Sequence, residues 1–354
     1  MTNLKLNQTP IRTARNYGIN NIKLENIDLP ETVKDFNGLQ IIGDIDKFTV
    51  TSDKKDNDIK YGNGEILKNQ IKEKSNKDLQ INIQGNLKKE LELDFYFSKE
   101  NKELIDNIFI NIEENAKGTI IIKYTSKEDF KYYHNGQIKV LAGKKSKVNI
   151  ILVNLLSEEA NNFISIENIL EEQADVRYTT VDFGGQNSIT NYYSNLRGNN
   201  SNNSIDTIYL GNKNQIIDLN YITEMYGEKT NAEMNLKGAI KDNAKKHFKG
   251  TIDFKTGCKK AKGRENEYCT ILSETAKSIA LPMLLCTEED VEGEHSTAAG
   301  KIDPKQLFYI MSRGFNIKDA QKLIIRAGFN EILEQITKEE LKEEILEKIN
   351  QKLG

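Results

Sequence analysis

Four side chains suited to hold a transition metal, Cys258, Cys269, Cys286 and His295, fall in the last third of this 354-residue chain. Their separations of 11, 17 and 9 residues match no compact zinc pattern, so a shared site would need a fold that stacks distant residues. Thiolate and imidazole together form a ligand set that iron and iron-sulfur clusters accept. Cys269 follows Tyr268 on strand-like sequence and is the thiol best placed for a ligand role. Cys286, at the end of the apolar run from Leu281, reads as a small buried hydrophobe, and Cys258 reads as a surface thiol in a basic turn. His295 is expected in an exposed acidic turn, where Glu292 and Glu294 could orient its ring.

Other chemistries lack their signatures. Gly143-Lys144-Lys145-Ser146 resembles the end of a phosphate-binding loop, but Gly136 and Gly143 are separated by six residues, a spacing the motif does not allow. The expectation is a basic turn and no nucleotide bound by this chain. Neither the G-x-S-x-G, the H-E-x-x-H nor the C-x-x-C pattern occurs.

The elements that position these residues divide the chain into three expected regions. Residues 1–77 read as an irregular N-terminal region with a little helix near Leu67. Residues 78–302 carry strands: Leu79-Ile81-Ile83, Leu91-Leu93-Phe95-Phe97, Ile108-Ile110-Ile112 and Ile120-Ile122-Tyr124 alternate at period two, while the run from Val148 is more continuously apolar, as for a strand buried on both faces. Leu155 to Glu172 reads as a helix, with Leu156, Ala160, Phe163 and Leu170 at helical spacing. Six further strands begin at Val176, Ser188, Ile205, Ile216, Glu233 and Phe248 with only short polar turns between them. That spacing fits an antiparallel sandwich or a solenoid of stacked coils. Residues 303–354 read as about three helices: Asp303 caps and Pro304 opens the first, Gln306 sits at the reciprocal capping spacing, and Arg313-Gly314 ends it. The second runs from Asn316 and Asp319 to Gly328, and Thr337 to Glu340 form a capping box for the third.

Composition sets the outer limits. The net charge of −3, from 50 basic and 53 acidic residues, gives no electrostatic reason to expect nucleic acid or an anionic membrane. The sequence has no apolar run of spanning length and no apolar core near its start, and three cysteines form no disulfide framework, so a cytoplasmic protein is expected.

The segment from Leu272 to Met283, the acidic stretch ending in Glu294-His295, Gly300-Lys301-Ile302-Asp303, Gln306-Leu307-Phe308-Tyr309 and Ser312-Arg313-Gly314 together resemble the C-terminal core of the SufB/SufD family of iron-sulfur cluster assembly scaffolds. The resemblance is closest in the last third and extends more weakly to about Ala174 and to Pro10-Ile11-Arg12-Thr13. Ser296 follows His295 where the SufB branch has a glutamate, so the pattern is SufD-like. The resemblance implies a mainly β fold with a right-handed β-helix (solenoid) core between an irregular or helical N-terminal region and a C-terminal helical bundle. It implies a non-enzymatic scaffold that pairs with a SufB-like subunit through the edge of the β-helix and binds a SufC-like ATPase through helices within residues 303–336. His295, with Cys269 and Glu294 as further candidates, would then contact a transient iron-sulfur cluster at the subunit interface. A β-helical carbohydrate-active enzyme and a purely structural partner without metal contact are the alternatives.

Overall fold

The structure, a computed structural model, describes residues 1–13, 18–43, 45–52 and 57–354. The N-terminal region supplies a hairpin of β1 (Thr2–Leu6) and β2 (Ile22–Ile27), two short strands β3 (Leu39–Ile42) and β4 (Phe48–Thr51), and helix α1 (Glu65–Lys74). Sixteen strands follow: β5 (Lys77–Ile83), β6 (Leu91–Phe97), β7 (Glu103–Ile112), β8 (Lys117–Ser126), β9 (Tyr133–Ala142), β10 (Lys147–Leu155), β11 (Asn161–Leu170) and β12 (Asp175–Asp182), then β13 (Asn187–Leu196), β14 (Asn202–Gly211), β15 (Ile216–Met225), β16 (Asn231–Ile240), β17 (Lys245–Phe254), β18 (Ala261–Ile271), β19 (Lys277–Cys286) and β20 (Val291–Gly300). Odd-numbered strands from β5 to β19 pair in parallel to form one sheet, and even-numbered strands from β6 to β20 form the other. The chain therefore winds as a β-solenoid of about eight coils, two strands to each coil. At its first end the antiparallel strands β3 and β4 pair with β6 and β5.

Register explains why helices never intervene. Lys117 pairs with Lys147, Lys147 with Asp175 and Asp175 with Asn202, steps of 30, 28 and 27 residues that leave room only for two strands and two tight corners. The corners stack as well. Asn115, Lys145, Gln173, Asn200, Lys229 and Lys260 all adopt positive φ, and each is followed by a buried small residue: Ala116, Ser146, Ala174, Ser201, Thr230 or Ala261. The backbone amide of each left-handed residue donates to a carbonyl on the next coil, as in Lys145 to Glu172 (2.9 Å) and Gln173 to Asn199 (2.9 Å). A large side chain after the left-handed residue would wedge the coils apart.

Both outer faces are covered over part of their length. Leu4, Leu6, Ile22, Leu24, Leu67 and Ile71 of the N-terminal region pack on Ile105, Tyr133, Phe163 and Ile189 of the odd-numbered sheet. Three helices follow the solenoid: α2 (Pro304–Ser312), α3 (Ile317–Leu333) and α4 (Glu339–Leu353). The last two fold back so that Phe329, Ile332, Ile345 and Ile349 cover Ile151, Val153, Phe183 and Ile208 of the even-numbered sheet. This is why strands such as β10 are apolar on both faces.

Three local expectations are corrected. Leu155 to Glu172 contains strand β11 instead of a helix: Ile164, Ile166 and Leu170 face the lumen while Phe163 faces the N-terminal cover, so burial on both faces erased the alternation. Gly328 does not end α3, which continues to Leu333 because Phe329, Ile332 and Leu333 are buried against the sheet. Thr337 does not cap α4; its hydroxyl donates to Glu90 instead (2.5 Å) and the N-cap is Lys338. At α2 the expectation holds: the Asp303 carboxylate accepts from the Lys305 amide at 2.9 Å, with Pro304 at the first helical position. Among the described residues no helix is long and apolar enough to cross a membrane.

Candidate functional site

At the second end, β20 closes the even-numbered sheet and β19 the odd-numbered one, and neither has a further strand beside it among the described residues. Side chains alternate along a strand. On β18 the buried residues Ala261, Gly263, Glu265, Glu267 and Cys269 face the lumen. Their register partners on β20 are Val291, Gly293, His295, Thr297 and Ala299. His295 thus stands on the lumen-facing side of the last rung, directly beside Glu265, and is exposed because no coil covers it. The expected acidic turn is a strand: ladder pairing to β18 draws Val291 to Gly300 into the sheet.

Glu292 and Glu294 lie on the opposite face of that strand. Glu294 pairs with Arg264 at 3.0 Å and Glu292 with Lys262 at 2.9 Å, both in exposed positions. Cys269 is fully buried on the lumen face of β18, and burial pushes its thiol up. It is four positions along that strand from Glu265, roughly 13 Å at the rise of a β-strand, so this chain alone does not bring Cys269 and His295 together. The other two cysteines exchange their expected environments. Cys286 is exposed at the end of β19, where it outlives the last apolar cover and its thiol donates to the Glu288 carbonyl (2.8 Å). Cys258 is buried under a corner between β17 and β18, and burial pushes its thiol up to about 11. Among the described residues no cluster of three or more His, Cys, Asp and Glu side chains could hold a metal ion.

Sequence reasoning missed Glu265 and Glu267. Glu267 accepts from the Tyr209 hydroxyl (2.6 Å) and pairs with the fully buried Lys246 ammonium (2.7 Å). Among the described residues neither oxygen of Glu265 has a hydrogen-bond partner, and burial followed by repulsion from Glu267 pushes its carboxyl up to about 8. The signal was the run Arg264-Glu-Asn-Glu-Tyr268, where two acids at period two face the side that Ala261 and Cys269 also occupy. The basic turn at Gly143 leads into strand β10, not a helix, so it lacks the helix N-terminus that a phosphate loop uses.

Next to this end, α2 buries none of its residues. Phe308 (74% exposed) and Tyr309 (59%) project from it, with Met311, Phe315 and Ile317 exposed nearby.

A family model described as the SufBD core domain of the SUF system for FeS cluster assembly matches residues 95–328, from β6 to the body of α3. The chain belongs to the SufBD family. It is a SufD-like member: it is 25% identical to the iron-sulfur cluster assembly protein SufD of Escherichia coli over 244 residues, which are 69% of this chain and 58% of that protein. It is 24% identical to SufD of Bacillus subtilis over 254 residues, 71% of this chain and 58% of the relative. An iron-sulfur cluster assembly SufBD family protein of Staphylococcus saprophyticus is 24% identical over 267 residues, covering 73% and 56%. The chain thus spans somewhat more than half the length of these relatives. Membership places the chain in a family described by its part in iron-sulfur cluster assembly.

Proposed function

We propose that this SufBD protein is a scaffold subunit for de novo assembly of iron-sulfur clusters. It pairs with a SufB-like subunit through the open end of the solenoid and receives a SufC-like ATPase on α2 and the start of α3. The observation that carries this reading is the lumen-facing His295 on an uncovered terminal strand. An unpaired strand edge is a template for strand addition, so a partner solenoid that extends both sheets would satisfy the β19 and β20 backbones and enclose His295. The cluster is cargo, built where the two chains meet; His295 would supply one nitrogen ligand, and the partner must supply the rest. Cys269 would join only if assembly moved β18, since it lies about four residues deeper along its strand. Glu294, on the other face and held by Arg264, would act on the partner instead of on the imidazole.

The exposed aromatic and aliphatic side chains of α2 support a docking role for residues 303–336, with ATP turnover in the docked subunit driving rearrangement of the pair. Co-expression with SufB-like and SufC-like proteins, anaerobic purification through a tag on this chain, and a visible spectrum test the reading. A complex with cluster absorbance that His295→Ala abolishes supports it. A complex whose cluster yield is unchanged by His295→Ala reduces the chain to a purely structural partner.

A further inference from the structure

The coil of β17 and β18, one short of the open end, contains a carboxylate with nothing to balance it among the described residues. Two cations are buried on β17, and each is already held: Lys249 by Asp218 at 2.6 Å, and Lys246 by Glu267 at 2.7 Å, with the Ile279 carbonyl at 3.3 Å. Glu265, with no exposed surface, has two buried oxygens and, among the described residues, no hydrogen-bond partner for either. A buried acid in that state is costly unless a proton or a metal ion compensates it. The lumen is shaped for the carboxyl group: Gly250 on the opposite sheet leaves the space it occupies, and a Cβ there would overlap the Glu265 carboxyl atoms. The side chain next in register, on the same face and one strand outward, is the imidazole of His295. Paired strands run about 4.8 Å apart, a separation that two side chains can span to share one metal ion at roughly 2.0–2.2 Å from each ligand atom.

We propose that Glu265 and His295 together form a divalent transition-metal site at the mouth of the solenoid lumen, one carboxylate oxygen and one imidazole nitrogen, with the remaining positions open to water or to a partner. The proposal rests on the reading of His295 given above and adds the buried carboxylate to it. A nitrogen and oxygen pair suits ferrous iron and its first-row neighbours better than calcium or magnesium, which prefer oxygen alone. The site would hold a single ion entering the assembly surface before sulfur is added, and it needs no thiolate from this chain.

The test uses cobalt(II) as the probe, titrated anaerobically into the full chain and followed by calorimetry and by its visible d–d bands. One ion per chain is expected, with Glu265→Gln and His295→Ala each weakening binding by at least about tenfold and Cys269→Ser and Cys286→Ser leaving it unchanged. X-ray absorption on the wild-type complex requires no variant to fold: a first shell of nitrogen and oxygen is expected, and sulfur in that shell overturns the proposal. Wild-type affinity in Glu265→Gln overturns it as well, and if His295→Ala still weakens binding, the imidazole reading survives without the carboxylate. If His295→Ala binds as tightly as wild type, both fall. Gly250→Ala gives an independent check, because the added methyl group must displace the Glu265 carboxyl; unchanged cobalt affinity in that variant counts against the site.

Discussion

Asp182 is buried in the lumen and accepts from Ser188 (2.7 Å) and Asn154 (2.8 Å), yet burial outweighs both hydrogen bonds and pushes its carboxyl from 3.8 up to about 6. Between those values the folded chain keeps a proton that the unfolded chain has released, so this group makes stability fall as pH rises through the window. Asp182→Asn keeps the accepting oxygen and puts its amide where Asp182 Oδ2 now has no partner among the described residues. The stability of this variant relative to wild type should rise by on the order of 3 kcal/mol between about pH 3.5 and about pH 7. Denaturant unfolding across that range checks it, and a difference that does not vary with pH contradicts the assignment. Lys246 is the opposite case, a buried cation whose loss strands a carboxylate. Lys246→Met should cost about 3–5 kcal/mol, measured by the same unfolding experiment, because Glu267 would be left charged and unpaired. A cost below about 1 kcal/mol would mean that Glu267 takes up a proton without penalty. The inward polar residues continue toward the first end of the solenoid, where His134 lies 2.7 Å from Asp106 and 2.6 Å from Asn162, and Tyr124 donates to Asp106 at 3.0 Å. Each of these buried groups is legible only once the lumen face of its strand is known.

At the scale of elements, the corners hold the coils in register. Lys145 sits at φ 57 with its amide bonded to Glu172 on the next coil, so a β-branched residue there meets steric strain on a backbone it cannot leave. Lys145→Val should cost on the order of 1–2 kcal/mol, read as a lower unfolding midpoint, whereas no change would mean that the corner is free to relax. This corner also explains what the sequence did and did not disclose. A strand with one polar face, such as β6, was legible from alternation alone. β11 was not, because the N-terminal hairpin and α1 bury its outer face and leave Phe163 out of phase with Ile164 and Ile166. β20 read as a turn because its residues are mostly exposed at an uncovered end, so the pattern lacks the apolar members that mark a strand. The small buried residue after each left-handed corner recurs at Ala116, Ser146, Ala174, Ser201, Thr230 and Ala261, a repeat of Ala, Ser and Thr that hydropathy does not reveal. The imidazole at His295 was found from sequence, whereas Glu265 required the register. On α2, Phe308→Asp should leave the unfolding midpoint within about 0.5 kcal/mol of wild type, since Phe308 is 74% exposed. If the docking proposal is right, the same variant loses co-purification of the ATPase; retention at wild-type stoichiometry would move the docking surface elsewhere.

For the whole molecule, the solenoid is asymmetric in a way that suits one-ended assembly. Its first end is closed by antiparallel β3 and β4, its flanks are partly covered by the N-terminal region and by α3 and α4, and its second end presents two terminal strands with His295 between lumen and solvent. Edge strands left bare are templates for pairing with another chain, and the same end carries the exposed apolar surface of α2 nearby in sequence. The most direct measurement is the anaerobic visible spectrum, with native mass, of the complex purified through this chain after co-expression with SufB-like and SufC-like proteins, for wild type and His295→Ala side by side. A heteromeric wild-type complex with cluster absorbance, and a His295→Ala complex of the same mass without it, is the predicted result. Equal absorbance in the two, or a chain that purifies alone with neither partner nor iron, would contradict the account.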